Sequence, residues 1–342
     1  MKNIHIILLI FISINLSAQD TTSGNDKYEW YESEDWYEEA NKELKNLNFE
    51  LAKKHIIKTI ETINSEDDEF LCESYWLRSK INFQLQQYKA VLKDCKKIKK
   101  MGVHVDEEFP CELEYIEGLA NRNLNNLHKS KLHFDYVINS CDEYSSTITH
   151  TRLVSYDNKF PDYVYYERGL VLHAMGEYKK AIADFTSYLN YELPVLKNLR
   201  EVKSTTDMKI KFFKKDVGTD IAGVLYMRGI CYVALGKYKL GEKDVDESKK
   251  HIKDDDTDNL GRYYSTKSII AFNKKDYQNC ILLSDTALTY DFHFSNMYYL
   301  RYLSNKKLGV ESCEDLRNAC ELDKDLCKSF NIYKYYIKNC KK

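Results

Sequence analysis

The chain has 342 residues, a formal net charge of -2 at pH 7, and 30% charged residues. This balance argues against the strongly basic face that a nucleic-acid-binding protein needs, so we expect no nucleic-acid partner. Only 12 Gly and 3 Pro occur in the whole sequence. That composition favours a chain that is helical almost throughout.

Residues 1–18 are expected to form a cleavable secretory signal. Lys2 precedes an apolar run from Ile4 to Leu16, and small residues follow before Gln19. An uncleaved membrane anchor is the less favoured alternative, because a span needs roughly 20 apolar residues and this run is shorter. We therefore expect a mature chain in the periplasm or outside the cell, with no membrane span.

A phrase of twelve residues occurs twice with the same order and spacing. Glu167–Tyr178 reads ERGLVLHAMGEY, and Met227–Tyr238 reads MRGICYVALGKY. A small residue within an apolar helical run, followed by a Gly turn and then Tyr, is typical of a helix-turn-helix repeat. Such units stack into a solenoid that presents a long surface.

The phrase resembles the 34-residue unit of the tetratricopeptide repeat family. That unit has a bulky residue at position 4, small residues at 8, 20 and 27, Gly at 15, an aromatic residue at 17 and a bulky residue at 24. The small residue at position 8 lets helices A and B of one unit cross closely beneath position 24. The two best matches start at residues 162 and 222, and positions 8, 15 and 24 are Gly169, Gly176 and Phe185 in the first and Gly229, Gly236 and Val245 in the second.

The same frame fits the rest of the chain more weakly. The resemblance implies an all-α fold, a right-handed superhelical solenoid of about seven repeats with a C-terminal capping helix and two inter-repeat insertions. We predict a signal segment at 1–18, a flexible lead-in at 19–32, the solenoid at 33–328, repeats near 33–66, 72–105, 111–144, 162–195, 222–255, 261–294 and 295–328, insertions at 145–161 and 196–221, and the cap at 329–342.

The two insertions differ in composition from the repeats. Ser146–Val154 and Met208–Phe213 are rich in β-branched or aromatic residues that partly alternate with polar ones. This pattern suits short strands. The alternative is a pair of extended loops that lie on the helices.

Fragments that resemble ligand sites do not complete the motifs. Gly236–Lys243 approaches a phosphate-binding loop, but Glu242 stands where that loop needs Lys. The alternating acids of Asp254–Asp258 resemble the start of a calcium loop, whose required Gly and Glu are here Asn259 and Ser265. The histidines show no paired metal spacing. We expect no catalytic residue, no metal and no cofactor, and hence a protein that is not an enzyme.

Ten cysteines in a chain that we expect to be exported raise the question of disulfides. Cys111 and Cys141 occupy positions 1 and 31 of the third repeat, where the start of helix A lies beside the end of helix B, and we predict a bond between them. Buried thiols are expected at the packing positions of Cys95, Cys231 and Cys280. The pairing is open within a C-terminal cluster, which consists of Cys313, Cys320, Cys327 and Cys340.

Helix A lines the concave groove in the family that this chain resembles, and position 5 faces inward. This position is aromatic in six of the seven repeats. The resemblance implies that these rings, with Arg122 and His173, form a partner-binding groove, and the alternative is that the rings only pack the helices. The six rings are Tyr37, Trp76, Tyr115, Tyr166, Tyr226 and Tyr299.

These features predict a non-catalytic scaffold that binds a protein or peptide along the concave groove. The alternative is a glycan- or small-ligand-binding module of an envelope uptake system, because aromatic rings also stack on sugars.

Overall fold

The computed structural model describes residues 33–63, 68–102, 109–141, 161–201, 208–291 and 293–325. Within these ranges there are fourteen helices and no strand, so the all-α prediction is confirmed. The helices alternate as helix A and helix B of seven consecutive hairpins. They are α1 (Ser33–Lys45), α2 (Phe49–Thr62), α3 (Asp68–Gln84), α4 (Tyr88–Met101), α5 (Phe109–Asn123), α6 (Leu127–Ser140), α7 (Pro161–Ala174), α8 (Tyr178–Glu201), α9 (Met208–Ala234), α10 (Tyr238–Lys249), α11 (Thr257–Asn273), α12 (Tyr277–Tyr290), α13 (Ser295–Lys307) and α14 (Cys313–Leu322).

The turn from helix A to helix B has the same backbone conformation in every described hairpin. Its residue at position 15 has a positive φ, between 57° and 79°. Gly adopts this left-handed conformation without steric cost, whereas other residues are strained there. Gly occupies this position in three of the turns, as Gly176, Gly236 and Gly309. In the other four turns a residue with a side chain adopts the same conformation, and these residues are Leu47, Gln86, Asn125 and Lys275.

In the third, fourth and fifth hairpins, helices A and B cross so closely that a Cβ atom at position 8 would overlap the facing helix. The seventh hairpin departs from this pattern, with Tyr302 at position 8. A Cβ atom built on Gly169 would lie 2.6 Å from Cε1 of Phe185. The equivalent Cβ on Gly118 would lie 2.5 Å from Cε1 of Phe134. Both phenylalanine side chains are fully buried. The pairing of a small residue at position 8 with a bulky one at position 24 therefore fixes the distance between the two helices.

An ion pair that we did not predict lies beside this contact. In four hairpins an Arg at position 7 of helix A binds an Asp of helix B. The Asp is at position 23 in three of them and two residues earlier in the seventh hairpin. Nε and Nη2 of Arg228 donate to the two carboxylate oxygens of Asp244 at 2.7 and 2.9 Å. The pairs are Arg78–Asp94, Arg168–Asp184, Arg228–Asp244 and Arg301–Asp315, and each of the four Asp residues is buried.

The same arginines also join neighbouring hairpins. Nη1 of Arg168 donates to Oδ1 of Asp135 at 2.9 Å, and Nη1 of Arg228 donates to Oγ1 of Thr186 at 3.1 Å. Both acceptors occupy position 25 of the preceding hairpin. One guanidinium group thus fixes the crossing within its own hairpin and the stacking on the hairpin before it, which its five donors allow.

The hairpins stack more tightly on the side of the A helices. Contacts join consecutive A helices, α1 with α3, α5 with α7, α7 with α9, α9 with α11 and α11 with α13. In the described part of the chain, consecutive B helices contact each other more weakly or not at all. The A helices therefore lie side by side along one face of the stack.

The structure corrects the prediction for the second insertion. Met208–Phe213 is neither a strand nor an extended loop, because α9 begins at Met208 and continues without interruption to Ala234. A helix satisfies the hydrogen bonds of its own backbone, whereas a short isolated strand has no partner for them. The preceding helix, α8, extends past the repeat frame to Glu201 with Pro194 inside it. Both neighbouring helices thus extend into the range predicted as the insertion.

Several predicted segments lie outside the described residues. They are the signal segment, the lead-in, residues 145–160 of the first insertion and the cap at 329–342. No helix among the described residues is long and apolar enough to cross a membrane.

A disulfide joins Cys111 to Cys141, the pair that the repeat frame predicts, with 6.1 Å between their Cα atoms. It closes the open end of the third hairpin by linking the start of α5 to the residue after α6. Cys313 and Cys320 of α14 are also disulfide-bonded, while Cys327 and Cys340 lie outside the described residues. The free cysteines of the described part are buried thiols at Cys72, Cys95, Cys231 and Cys280.

We expect Gly169→Ala to lower the free energy of unfolding by about 1–3 kcal/mol, because the new methyl group overlaps the Phe185 ring. Gly223→Ala is the matched control. It lies in α9 with no atom within 4 Å of a built Cβ, so it should stabilise by about 0.5–1 kcal/mol through helix propensity. Chemical denaturation of both variants gives the comparison, and a stabilising Gly169→Ala would contradict the close crossing.

Removing the disulfide should destabilise the third hairpin. The bond closes a loop with a sequence separation of 30 residues. Loop-closure entropy then gives a loss of about 3–4 kcal/mol for Cys111→Ser together with Cys141→Ser. Cys280→Ser, at a buried free thiol, is the control for loss of a sulfur alone. Equal melting temperatures for the wild type and the double variant would show that the bond does not hold the hairpin.

Candidate binding groove

The position-5 rings of the first two hairpins pack against the next hairpin. The ring of Tyr37 lies 5.3 Å from that of Phe70, and Trp76 meets Phe109 edge-on at 5.5 Å between ring centroids. Phe70 and Phe109 lie in the first turn of the following helix A. Aromatic pairs at this distance stabilise an interface beyond the area they bury. These two rings therefore act as spacers between hairpins.

The remaining rings are also engaged within the fold. Tyr115 is only 3% exposed and packs on Phe134, while its role in a partner-binding groove stays a prediction. Its ring is enclosed because the third and fourth hairpins close over it, and burial raises its pKa well above the usual value. Tyr166 packs on Tyr188 at 5.6 Å, and the hydroxyl of Tyr226 accepts a hydrogen bond from Thr266 Oγ1 at 3.3 Å.

Tyr299 stacks on Tyr302 in the last hairpin, with 6.3 Å between ring centroids. The six position-5 rings thus have neighbours inside the fold, and the alternative of helix packing accounts for what they contact. Five of the six rings remain partly exposed, and Tyr115 is buried.

Arg122 is tied to a buried carboxylate. Its Nη1 lies 2.6 Å from Oε2 of Glu167, which belongs to the next hairpin. Burial raises the pKa of Glu167, and the Arg122 guanidinium opposes that shift. Since replacing Arg122 would leave Glu167 buried without its counter-ion, this arginine holds the third and fourth hairpins together. It keeps only part of its side chain at the surface.

His173 remains partly accessible at position 12 of the fourth hairpin. Its ring lies 5.7 Å from that of Tyr178, and burial lowers its pKa. The imidazole is therefore neutral at pH 7, so one ring nitrogen donates a hydrogen bond and the other accepts one. Such a side chain suits recognition of a polar group such as a peptide amide.

Position 9 supplies a feature that the sequence analysis missed. In the last four hairpins it carries an aliphatic side chain that is neither buried nor fully exposed, on A helices that contact one another in sequence. These four residues, here called the aliphatic row, are Leu170, Ile230, Ile269 and Leu303. The repeat frame already identifies these residues, because position 9 of each repeat can be read directly from the sequence.

Polar and small residues border the aliphatic row. Ala234 and Asn273 are exposed at position 13 of the fifth and sixth hairpins, and Lys306 and Lys307 are exposed in the seventh. At the other end of the stack, Lys80 is exposed at position 9 and its ammonium group lies 5.3 Å from the Trp76 ring centroid. The face formed by the A helices thus combines a row of apolar side chains with polar and basic residues at its edges.

Comparisons with known proteins concern the architecture alone. No family model and no curated protein matches the chain. Similar solved structures include a tetratricopeptide repeat protein from Parabacteroides merdae, with 12% identity, 80% of this chain and 98% of that chain covered, and a TM-score of 0.45. The C-terminal part of a TPR repeat-containing protein from Cytophaga hutchinsonii is 12% identical, with 80% of this chain and 88% of that chain covered and a TM-score of 0.49. The type IV pilus biogenesis factor PilW is 12% identical, with 78% of this chain and 96% of that chain covered and a TM-score of 0.48.

Proposed function

We propose that this protein is a non-catalytic scaffold that binds a protein or peptide segment along its concave face. The observation that carries the proposal is the aliphatic row on four consecutive A helices. A row of half-exposed apolar side chains can bury the apolar side chains of an extended or helical segment. The polar edges then supply the hydrogen bonds that fix its orientation.

We propose further that the chain works in the periplasm or outside the cell. The Cys111–Cys141 bond and the bonded Cys313 and Cys320 support this, because structural disulfides persist in oxidising compartments. The apolar run near the N-terminus supports export by its sequence.

Paired substitutions within two hairpins test the groove. Ile230→Glu with Ile269→Glu places two charges on the concave floor. Leu240→Glu with Leu282→Glu makes the same change on the B helices of the same hairpins, where the side chains are 46% and 64% exposed. We expect the first pair to lose the partners that wild-type protein captures from cells that produce it, and the second pair to keep them. Circular dichroism confirms that both variants fold.

Site-specific photo-crosslinking provides a second measurement that does not disturb the floor. A photoreactive amino acid at exposed Ala234 or Asn273 should crosslink to a partner polypeptide, and one at Leu282 should not. Equal crosslinking from both faces would overturn the groove proposal. Binding to a glycan panel with no polypeptide crosslinked would instead favour the sugar-binding alternative.

A further inference from the structure

The third hairpin is the one described hairpin with Glu, Glu and His side chains at three positions that meet in space. Position 4 is bulky in the other six hairpins but is Glu114 here. Positions 7 and 23, which are Arg and Asp in the second, fourth and fifth hairpins, are Glu117 and His133 here. The bulky residues at position 4 are Trp36, Tyr75, Tyr165, Leu225, Tyr264 and Tyr298.

These three side chains converge at the crossing of α5 and α6. Glu114 and Glu117 lie one turn apart on α5, and His133 faces them from α6. Nδ1 of His133 is 2.6 Å from Oε2 of Glu114 and 3.9 Å from Oε2 of Glu117. One ligand atom from each residue lies within 4.8 Å of the others.

A positive charge already occupies the centre of this cluster. The ammonium group of Lys99, from helix B of the preceding hairpin, lies 2.5 Å from Oε1 of Glu114 and also pairs with Glu117. Glu117 is 8% exposed, so its carboxylate needs a cationic partner. Lys99, by contrast, retains 39% of its side-chain exposure and has a flexible stem that can turn into solvent.

We propose that Glu114, Glu117 and His133 bind one zinc ion, which replaces the Lys99 ammonium group. An imidazole nitrogen with two carboxylate oxygens is a ligand set that suits zinc, while calcium and magnesium prefer oxygen ligands alone. Bonds of about 2.0–2.2 Å require the three ligand atoms to draw together by rotation of the two flexible Glu side chains. A water molecule completes the tetrahedral set.

The chain contains an internal control for this site. Hairpin 1 also has Glu and His at positions 7 and 23, as Glu39 and His55. Its position 4 is Trp36, whose ring stacks on His55 at 5.2 Å. The third ligand is therefore replaced by an aromatic ring, and hairpin 1 should not bind the metal with comparable affinity.

Calorimetric titration of zinc chloride into the full chain, without a polyhistidine tag, tests the site. We expect one zinc ion per chain and a higher melting temperature in its presence, with no comparable effect of magnesium or calcium. His133→Ala and Glu114→Gln should each weaken zinc binding by at least about tenfold. His55→Ala should leave the affinity unchanged, and Lys99→Met should bind at least as tightly as wild type because the competing ammonium group is gone.

Two results would overturn the assignment. The first is that zinc produces neither a heat of binding nor a shift of melting temperature in the wild type or in Lys99→Met. That result would show that Lys99 is the permanent partner of both carboxylates. The second is unchanged affinity in both His133→Ala and Glu114→Gln, with circular dichroism showing that they fold, which would place the bound zinc elsewhere.

Discussion

The close crossing of helix A over helix B is the contact on which the rest of the structure depends. A small residue at position 8 lies beneath a bulky one at position 24, so close that a Cβ on Gly118 would meet the Phe134 ring at 2.5 Å. Apolar packing alone does not fix the angle between the two helices. The neighbouring Arg–Asp pair restricts that angle, because its two parallel hydrogen bonds are directional. Since the same Arg also binds the preceding hairpin, one local arrangement sets both the hairpin and the stack.

The crossing and the stacking of the A helices underlie both proposed sites. Consecutive A helices of the last four hairpins contact one another, which places the aliphatic row along one face of the stack. In the third hairpin the crossing keeps its Gly–Phe contact but exchanges the Arg–Asp pair for Glu117 and His133. The apolar contact thus maintains the close packing of helices A and B, and the charged residues at positions 7 and 23 beside it can differ from one hairpin to another.

The sequence predicted those parts of the structure that depend on local spacing. Helix type, the turns and the Cys111–Cys141 pair all follow from the 34-residue frame. The spacing assigned Tyr115 to the groove but could not show how far its ring is enclosed, because that depends on how the third and fourth hairpins pack. Alternation in Met208–Phe213 resembled a strand because a six-residue window does not reveal a helix of 27 residues. The cluster of Glu114 and His133 joins residues 19 apart on two helices, which only the crossing brings together.

A double-mutant cycle at Arg228 and Asp244 tests the role of the crossing most directly, with the free energy of unfolding measured in urea. Arg228→Met leaves a carboxylate that is 6% exposed without its partner, so it should cost about 3–5 kcal/mol. Combining it with Asp244→Leu removes the buried charge, and the double variant should be more stable than Arg228→Met alone. Additive effects, with each single change below about 0.5 kcal/mol, would contradict the dependence of the stack on this ion pair.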